Sequence, residues 1–276
     1  MIVAAAVLWG LIGPFSVWAA REGLSPAETA FWRVAVSAPL FALMARLRRR
    51  PMPGDVAGMA LFGVVGVAVM YVALFTAVLR VGPGIAAVLL YTGPAWVGMF
   101  QWAATRRPPT PVSLLALLAT ILGVVLLSID PADVGNIDHV GIAAGLLSGV
   151  AYATHFTLAR HYIARFGAPL VYTTAMIVAA LVLVPLATPS LPSAGAVVPV
   201  LFLSVVATFA ASLLFARGVV QVAPVRAAIT ATIEPVVATV VSIAVLGATL
   251  NLQQLLGAAL VLTGVTLIMV RRAPAD

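Results

Sequence analysis

The sequence predicts an all-α fold, a polytopic membrane protein with ten transmembrane helices arranged as two inverted five-helix repeats. Three observations predict it. Of 276 residues, 63% are hydrophobic and 8% charged, against roughly 25% charged in an ordinary soluble domain, so no soluble fold could hide this much apolar surface. The apolar residues fall in runs of about 20, the length with which a helix rising 1.5 Å per residue crosses a hydrocarbon core of roughly 30 Å. Finally, a shift of 141 residues superimposes Val81, Pro83, Ala86, Ala87, Pro94, Gly123 and Val124 on Val222, Pro224, Ala227, Ala228, Pro235, Gly264 and Val265 without a gap. Ala and Val matches mean little in this composition, but the two Pro pairs and the Gly pair each fix a backbone feature at one depth. The halves are 1–135 and 136–276. Five spans is an odd number, so the second half enters the bilayer upside down relative to the first.

The first span is expected near 2–20. Its opening, MIVAAAVLWG, has no basic leader and no small-residue cleavage site before a soluble domain, so it reads as a span and not a removed signal. It starts so abruptly that a few native residues are expected to precede it. The second span, near 25–45, opens with Ser25-Pro26-Ala27-Glu28, a capping box with Pro in the first helical position. The third, near 56–79, contains Gly63-Val64-Val65-Gly66, which lacks the Lys-Ser/Thr ending of a phosphate loop. Gly82-Pro83 starts the fourth, near 83–104, and Arg107-Pro108-Pro109 separates it from the fifth, near 111–129. The sixth, near 140–163, carries Gly141, Gly145 and Gly149, a small-residue stripe for close helix packing. The seventh and eighth lie near 168–187 and 196–217; Ala223-Pro224 starts the ninth, near 224–247, and the tenth lies near 251–270.

Arginine placement sets the direction, because cytoplasmic connectors collect basic residues. Arg46, Arg48, Arg49 and Arg50 follow the second span, Arg106 and Arg107 the fourth, Arg160 and Arg165 flank the end of the sixth, Arg217 ends the eighth, and Arg271 and Arg272 follow the tenth. The opposite connectors hold Arg21 and Arg80, with an acidic segment from Asp130-Pro131-Ala132-Asp133 to Asp138. Both termini are expected in the cytoplasm, in a bacterial inner (plasma) membrane. The net charge of +7 thus belongs to topology-setting connectors, and no nucleic-acid partner is expected.

Few ionisable groups lie well inside the spans: Arg33, His155 and Glu234, with Arg226 nearer an end. Glu234 is eleven residues beyond Ala223, roughly 16 Å deep at 1.5 Å per residue and near the midplane. Two readings stand for it: an acid that binds a proton or a cationic substrate group, or a carboxyl pinned by Arg33 or helix-end amides for packing. Pro235 beside it, and its repeat partner Pro94, remove a backbone donor and crowd a carbonyl one turn back, which makes them kink or hinge candidates. Arg33 suits a substrate carboxylate through its planar fork, or pairs internally. His155 suits a proton relay, or hydrogen-bonded packing. Trp9, Tyr71, Tyr91 and Tyr152, from the first, third, fourth and sixth spans, sit at depths compatible with one cavity, where their rings offer apolar faces, polar tips and cation-accepting surfaces. Trp18, Trp32 and Trp102 lie nearer the interfaces, as belt residues do.

The stretch from Glu234 to Met269, EPVVATVVSIAVLGATLNLQQLLGAALVLTGVTLIM, resembles the closing segment of the drug/metabolite transporter superfamily in its ten-helix EamA-like branch. Leu8-Trp9-Gly10, Leu24-Ser25-Pro26 leading to Phe31-Trp32-Arg33, and Tyr91-Thr92-Gly93-Pro94 extend the resemblance over essentially the whole chain. It implies two five-helix repeats, a central cavity, and export or exchange of small metabolites, amino acids or amphipathic drugs. Where that family often has Gly-Glu after the ninth span, this chain has Gly247-Ala248, and Arg106-Arg107 in the first repeat.

A secondary transporter, a small-molecule carrier working by alternating access, fits these features without a nucleotide motor. A passive facilitator shares all of them and differs only in coupling. An intramembrane enzyme would need a nucleophile with a base, or a metal cluster; with no Cys, three His and no HExxH spacing, neither that nor a cofactor is expected. Ten spans can enclose a pathway in one chain, so a monomer is expected, partnered by the lipid bilayer and a small-molecule substrate.

Overall fold

A computed structural model describes residues 1–47, 55–129, 138–246 and 251–270. Arg48 to Arg50, Asp130 to Asp133, Gly247-Ala248, Arg271 and Arg272 lie outside the described residues. Every regular element among the described residues is helical. The first run is α1 (Ile2–Gly10) and α2 (Ile12–Arg21) with a joint at Leu11. α3 (Pro26–Leu47) opens on its capping box, in which the Glu28 N–H donates to Ser25 Oγ at 3.2 Å and the Ser25 N–H to the Glu28 carboxylate at 3.0 Å. α4 (Val56–Gly63), capped by Asp55, passes through a π-helical turn, Val64–Val69, into α5 (Met70–Leu90). Within α5, Gly82 takes φ 79°, a conformation glycine adopts without a Cβ clash, and the chain turns a corner just before Pro83. α6 (Gly93–Thr105), α7 (Pro111–Ser128), α8 (His139–Phe166) and α9 (Ala168–Ala187) follow. α10 (Ala194–Leu201) leads through a second π-helical turn, Phe202–Ala210, into α11 (Ala211–Val219), and α12 (Pro224–Ala231), α13 (Glu234–Leu246) and α14 (Leu252–Val270) close the chain.

Among the described residues, eight helical stretches are long and apolar enough to cross a membrane, one of them the 35-residue run Val56–Leu90 that contains the Gly82 corner. The exterior is leucine: Leu43, Leu79, Leu118 and Leu181 are exposed, whereas the interior is lined with small residues such as Ala5, Ser37, Ser148, Ser204 and Ala207. That distribution suits lipid outside and tightly packed helices inside, and the chain is an integral membrane protein. Close approach depends on glycine. A Cβ on Gly257 would lie 2.7 Å from the Gly123 carbonyl oxygen, and one on Gly264 2.7 Å from that of Ala116, so α7 and α14 touch backbone to backbone. The glycine stripe of α8 lies close against the end of α5: a Cβ on Gly145 would meet the Leu89 side chain, and one on Gly149 the Thr92 hydroxyl at 2.6 Å and the Leu89 carbonyl oxygen at 2.7 Å.

The backbone irregularities recur at the spacing of the sequence match. The π-helical turns end at Val69 and Ala210, helices end at Leu90 and Ala231, restart at Gly93 and Glu234, and end again at Thr105 and Leu246, each pair 141 residues apart. The prolines behave differently from the mid-span kinks expected of them. Pro94 and Pro235 stand second in α6 and α13, and the breaks precede them at Tyr91-Thr92 and Thr232-Ile233. Proline has no N–H to offer a preceding carbonyl, and the first turn of a helix is where that lack costs nothing.

Candidate functional site

Leu90 and Glu234, the residues flanking the two breaks, border a cavity of about 140 Å³. Trp9 and Ile12 contribute to its wall from the first run, Arg33 from α3, Met70, Tyr71 and Leu74 from α5, Tyr152, His155 and Phe156 from α8, Thr208 and Ser212 from the run through the second π turn, and Glu234 from the head of α13. The structure therefore brings Glu234, His155, Arg33, Trp9, Tyr71 and Tyr152 to one cavity. Tyr91 is the exception among the rings expected there. It is buried behind the wall, in the break between α5 and α6.

Arg33 is 7% exposed. Its Nε donates to Thr208 Oγ1 at 3.1 Å, and its guanidinium carbon lies 5.4 Å from the centroid of the Tyr71 ring. Among the described residues it makes no salt bridge, although it is near enough to Glu234 for the two charges to act on each other. Opposite charges thus line one cavity without contact. The π turns serve both halves of this arrangement, because widening a helix by one residue per turn takes carbonyls out of the regular ladder. In the first turn the Gly66 carbonyl oxygen lies 3.1 Å from His155 Nδ1. In the second, Thr208 receives Arg33 and passes its own proton to the Leu203 carbonyl at 2.8 Å, while the Ser204 carbonyl lies 2.8 Å from Ser37 Oγ. Sequence reading missed Thr208 and Ser212. The signal was present as Ser204, Thr208 and Ser212, polar residues four apart on one face of an apolar helix.

A second cavity, about 430 Å³, lies among Met44, Ile163, Pro169, Leu213, Arg217 and Val220. The helices that line it also line the first, and on three of them an aromatic residue lies between the two linings: Phe41 between Arg33 and Met44, Tyr172 between Met176 and Pro169, Phe215 between Ser212 and Arg217. All three are fully buried. Phe41 stacks on Tyr172 at 5.1 Å, and Phe215 meets Phe156 edge-on at 5.0 Å. These rings lie along the helices between the two cavities. Two polar atoms in this region, the Tyr152 and Tyr172 hydroxyls, are buried and have no hydrogen-bond partner among the described residues. Among those residues no group of three or more His, Cys, Asp or Glu could hold a metal ion.

Compared with known families, the chain matches the EamA-like transporter family over residues 1–129 and again over residues 139–270. It is 26% identical to an uncharacterized transporter of Archaeoglobus fulgidus, over 96% of this chain and 95% of that one. It is 25% identical to the uncharacterized transporter YwfM of Bacillus subtilis, over 99% of this chain and 93% of the relative. A protein known from a crystal structure has the same fold at a TM-score of 0.82 and 16% sequence identity, covering 96% of this chain and 94% of that one.

Proposed function

The chain belongs to the EamA-like transporter family, and from that premise we infer that this membrane transporter is a proton-coupled secondary carrier that exports small metabolites, amino acids or amphipathic drugs. The observation that carries the reading is the central cavity, where an acid and an unneutralised Arg33 meet aromatic rings at two matched helix breaks. Such a wall offers one site for a cationic group, one for an anionic group, and apolar faces between them. The ends of helices replace regular backbone at that depth, as they do where membrane carriers bind substrate.

Ten crossings in two inverted halves suit the same reading. In its support stand the recurrence of π turns and breaks at a spacing of 141 residues, the double family match, and a reciprocity of contacts: shifting the Gly123–Gly257 approach by one repeat gives the Gly264–Ala116 approach. The arginine-bearing connectors face the cytoplasm, the second cavity with Arg217 is the cytoplasmic vestibule, and the ring layer of Phe41, Tyr172 and Phe215 is the inner barrier. One chain encloses the pathway and acts as a monomer in the inner membrane. The test is transport in proteoliposomes under an imposed pH gradient. Substrate accumulation that follows the gradient, and that Glu234→Gln reduces to downhill exchange, supports the proposal; a Glu234→Gln protein that transports normally at every pH overturns it.

A further inference from the structure

His155 is held through one of its two ring nitrogens. Nδ1 lies 3.1 Å from the Gly66 carbonyl oxygen. A carbonyl only accepts, so the neutral ring carries its proton on Nδ1 and keeps a lone pair on Nε2. Nε2 has no hydrogen-bond partner among the described residues. It is not one of the side-chain polar atoms that are both unpartnered and shut off from open space, and the ring is part of the cavity wall, so this nitrogen opens on the cavity. Whatever occupies that space, water or solute, meets an acceptor there and must offer it an N–H or O–H.

The surroundings keep the ring in this orientation. Its centroid lies 5.2 Å from that of Phe62, 5.7 Å from that of Phe215 and 6.3 Å from that of Tyr172, which leaves the Gly66 carbonyl as its one hydrogen-bond partner among the described residues. Residue 66 has to be small to come this near: a Cβ on Gly66 would lie 3.0 Å from the Phe62 ring and 3.3 Å from the His155 Cα. Turning the ring over would put a C–H on the carbonyl in place of the N–H and forfeit that bond. Nor is the ring built as a relay, which takes a proton at one nitrogen and releases it from the other. Here the far side ends on an amide carbonyl, which accepts a hydrogen bond and passes no proton on. The second π turn places the other polar group in the same manner, holding Arg33 through Thr208. One turn thus sets an acceptor on the cavity, and the other a cation.

Resting on the carrier reading above, we propose that His155 is a specificity-determining residue whose Nε2 accepts a hydrogen bond from the transported solute. The solute class is then a small carboxylate, bound by Arg33, that carries a hydroxyl or amino donor for His155. A solute methylated at that donor leaves Nε2 against a methyl group, dehydrated and unpaired, and is rejected for that reason.

Two measurements on the full-length protein test this. The chain has three histidines, so with ¹⁵N-labelled histidine the nitrogen resonances of His155 are the pair that His155→Asn removes. One N–H and one bare nitrogen are expected, and the bare one should shift when solute binds. A ring protonated on Nε2 at neutral pH overturns the inference. The second measurement is binding of matched pairs: lactate against 2-methoxypropionate, and alanine against its N-trimethyl derivative. They have about six to nine non-hydrogen atoms, a size suited to a cavity close to the roughly 150 Å³ that takes one benzene. The donor-bearing member of a pair should bind the parent about tenfold more tightly than its partner. His155→Asn keeps an amide N–H for Gly66 and lacks the acceptor, so it should bring each pair to within about twofold by weakening the donor-bearing member. His155→Gln, whose amide oxygen reaches the former place of Nε2, should restore the preference. Equal binding within the pairs, no binding of any of the four, or a preference lost because the methylated member improves would each overturn the inference. The last result would mean that bulk, not a hydrogen bond, sets the choice. Should the variants not fold, the ring resonances and the preference of the parent decide alone. None of these readouts uses a pH gradient, so this inference and proton-coupled export can fail separately.

Discussion

Arg33 owes its place to a neutral partner. Thr208 satisfies Nε without cancelling the charge, so the guanidinium remains available to an anionic group. Thr208→Val keeps the shape and removes the acceptor; the buried donor left behind should cost about 1–3 kcal/mol, read as a lower melting temperature in a detergent thermal-shift assay. Arg33→Lys keeps the charge but loses the planar fork and its place against Tyr71, so KM for carboxylate-bearing substrates should rise about tenfold or more, with neutral ones little changed. Single-residue chemistry was the most legible part of the sequence. Glu234, His155 and Arg33 stood out because ionisable groups are costly in hydrocarbon. Thr208 did not, since a threonine can return its hydroxyl to its own helix and needs no explanation in an apolar span. Tyr91 was recognised as part of the site but given the wrong place in it, because depth along a helix says nothing of which way a ring turns.

Among the elements, helix breaks and glycine contacts matter most. Gly257→Ala should force α7 and α14 apart and destabilise the protein by about 1–3 kcal/mol, while Gly13→Ala, at a position with nothing within 4 Å, should leave thermal stability unchanged or raise it, by up to about 1 kcal/mol through helix propensity. Equal melting temperatures for the two variants would refute the contact as a source of stability. The span edges were readable from Pro, Gly and capping residues, and Ser25-Pro26-Ala27-Glu28 forms the box its spelling indicates. Pro94 and Pro235 marked the correct neighbourhoods. What the spelling hid was that each begins a helix, and that each half contains a π turn, a feature with no composition of its own.

For the whole molecule, three polar ties between distant segments lie at the ends taken as outer. Arg80 pairs with Asp138 at 3.0 Å, Glu28 accepts from the Ser190 hydroxyl at 2.8 Å, and Trp32 Nε1 donates to the Ser190 carbonyl at 3.2 Å. The backbone N–H of Gly141, then the Arg80 guanidinium, hold the Asp138 carboxyl below its usual range. A carboxyl harder to protonate when folded adds stability that is complete above the unfolded value of about 4 and is lost as pH falls toward the folded one. The stability advantage of the parent over Asp138→Asn should therefore be constant at neutral pH and shrink below about pH 4; an advantage that grows on acidification would contradict the assignment. Removing one ring of the inner layer with Phe41→Ala should join the two cavities and let substrate leak down its gradient, measured as efflux from loaded liposomes.

The partners of the first half all come late. α3 lies along α9, α7 along α14, α1 against α11 and α13, and α5 along α8, so α1, α3 and α7 make their main contacts with segments the ribosome makes well over a hundred residues afterwards, and α5, which ends at Leu90, with one that begins at His139. During synthesis the newly inserted helices must wait in the lipid with glycine-smooth faces uncovered, and a truncated product ending before α8 would lack the main partners of α1, α3, α5 and α7.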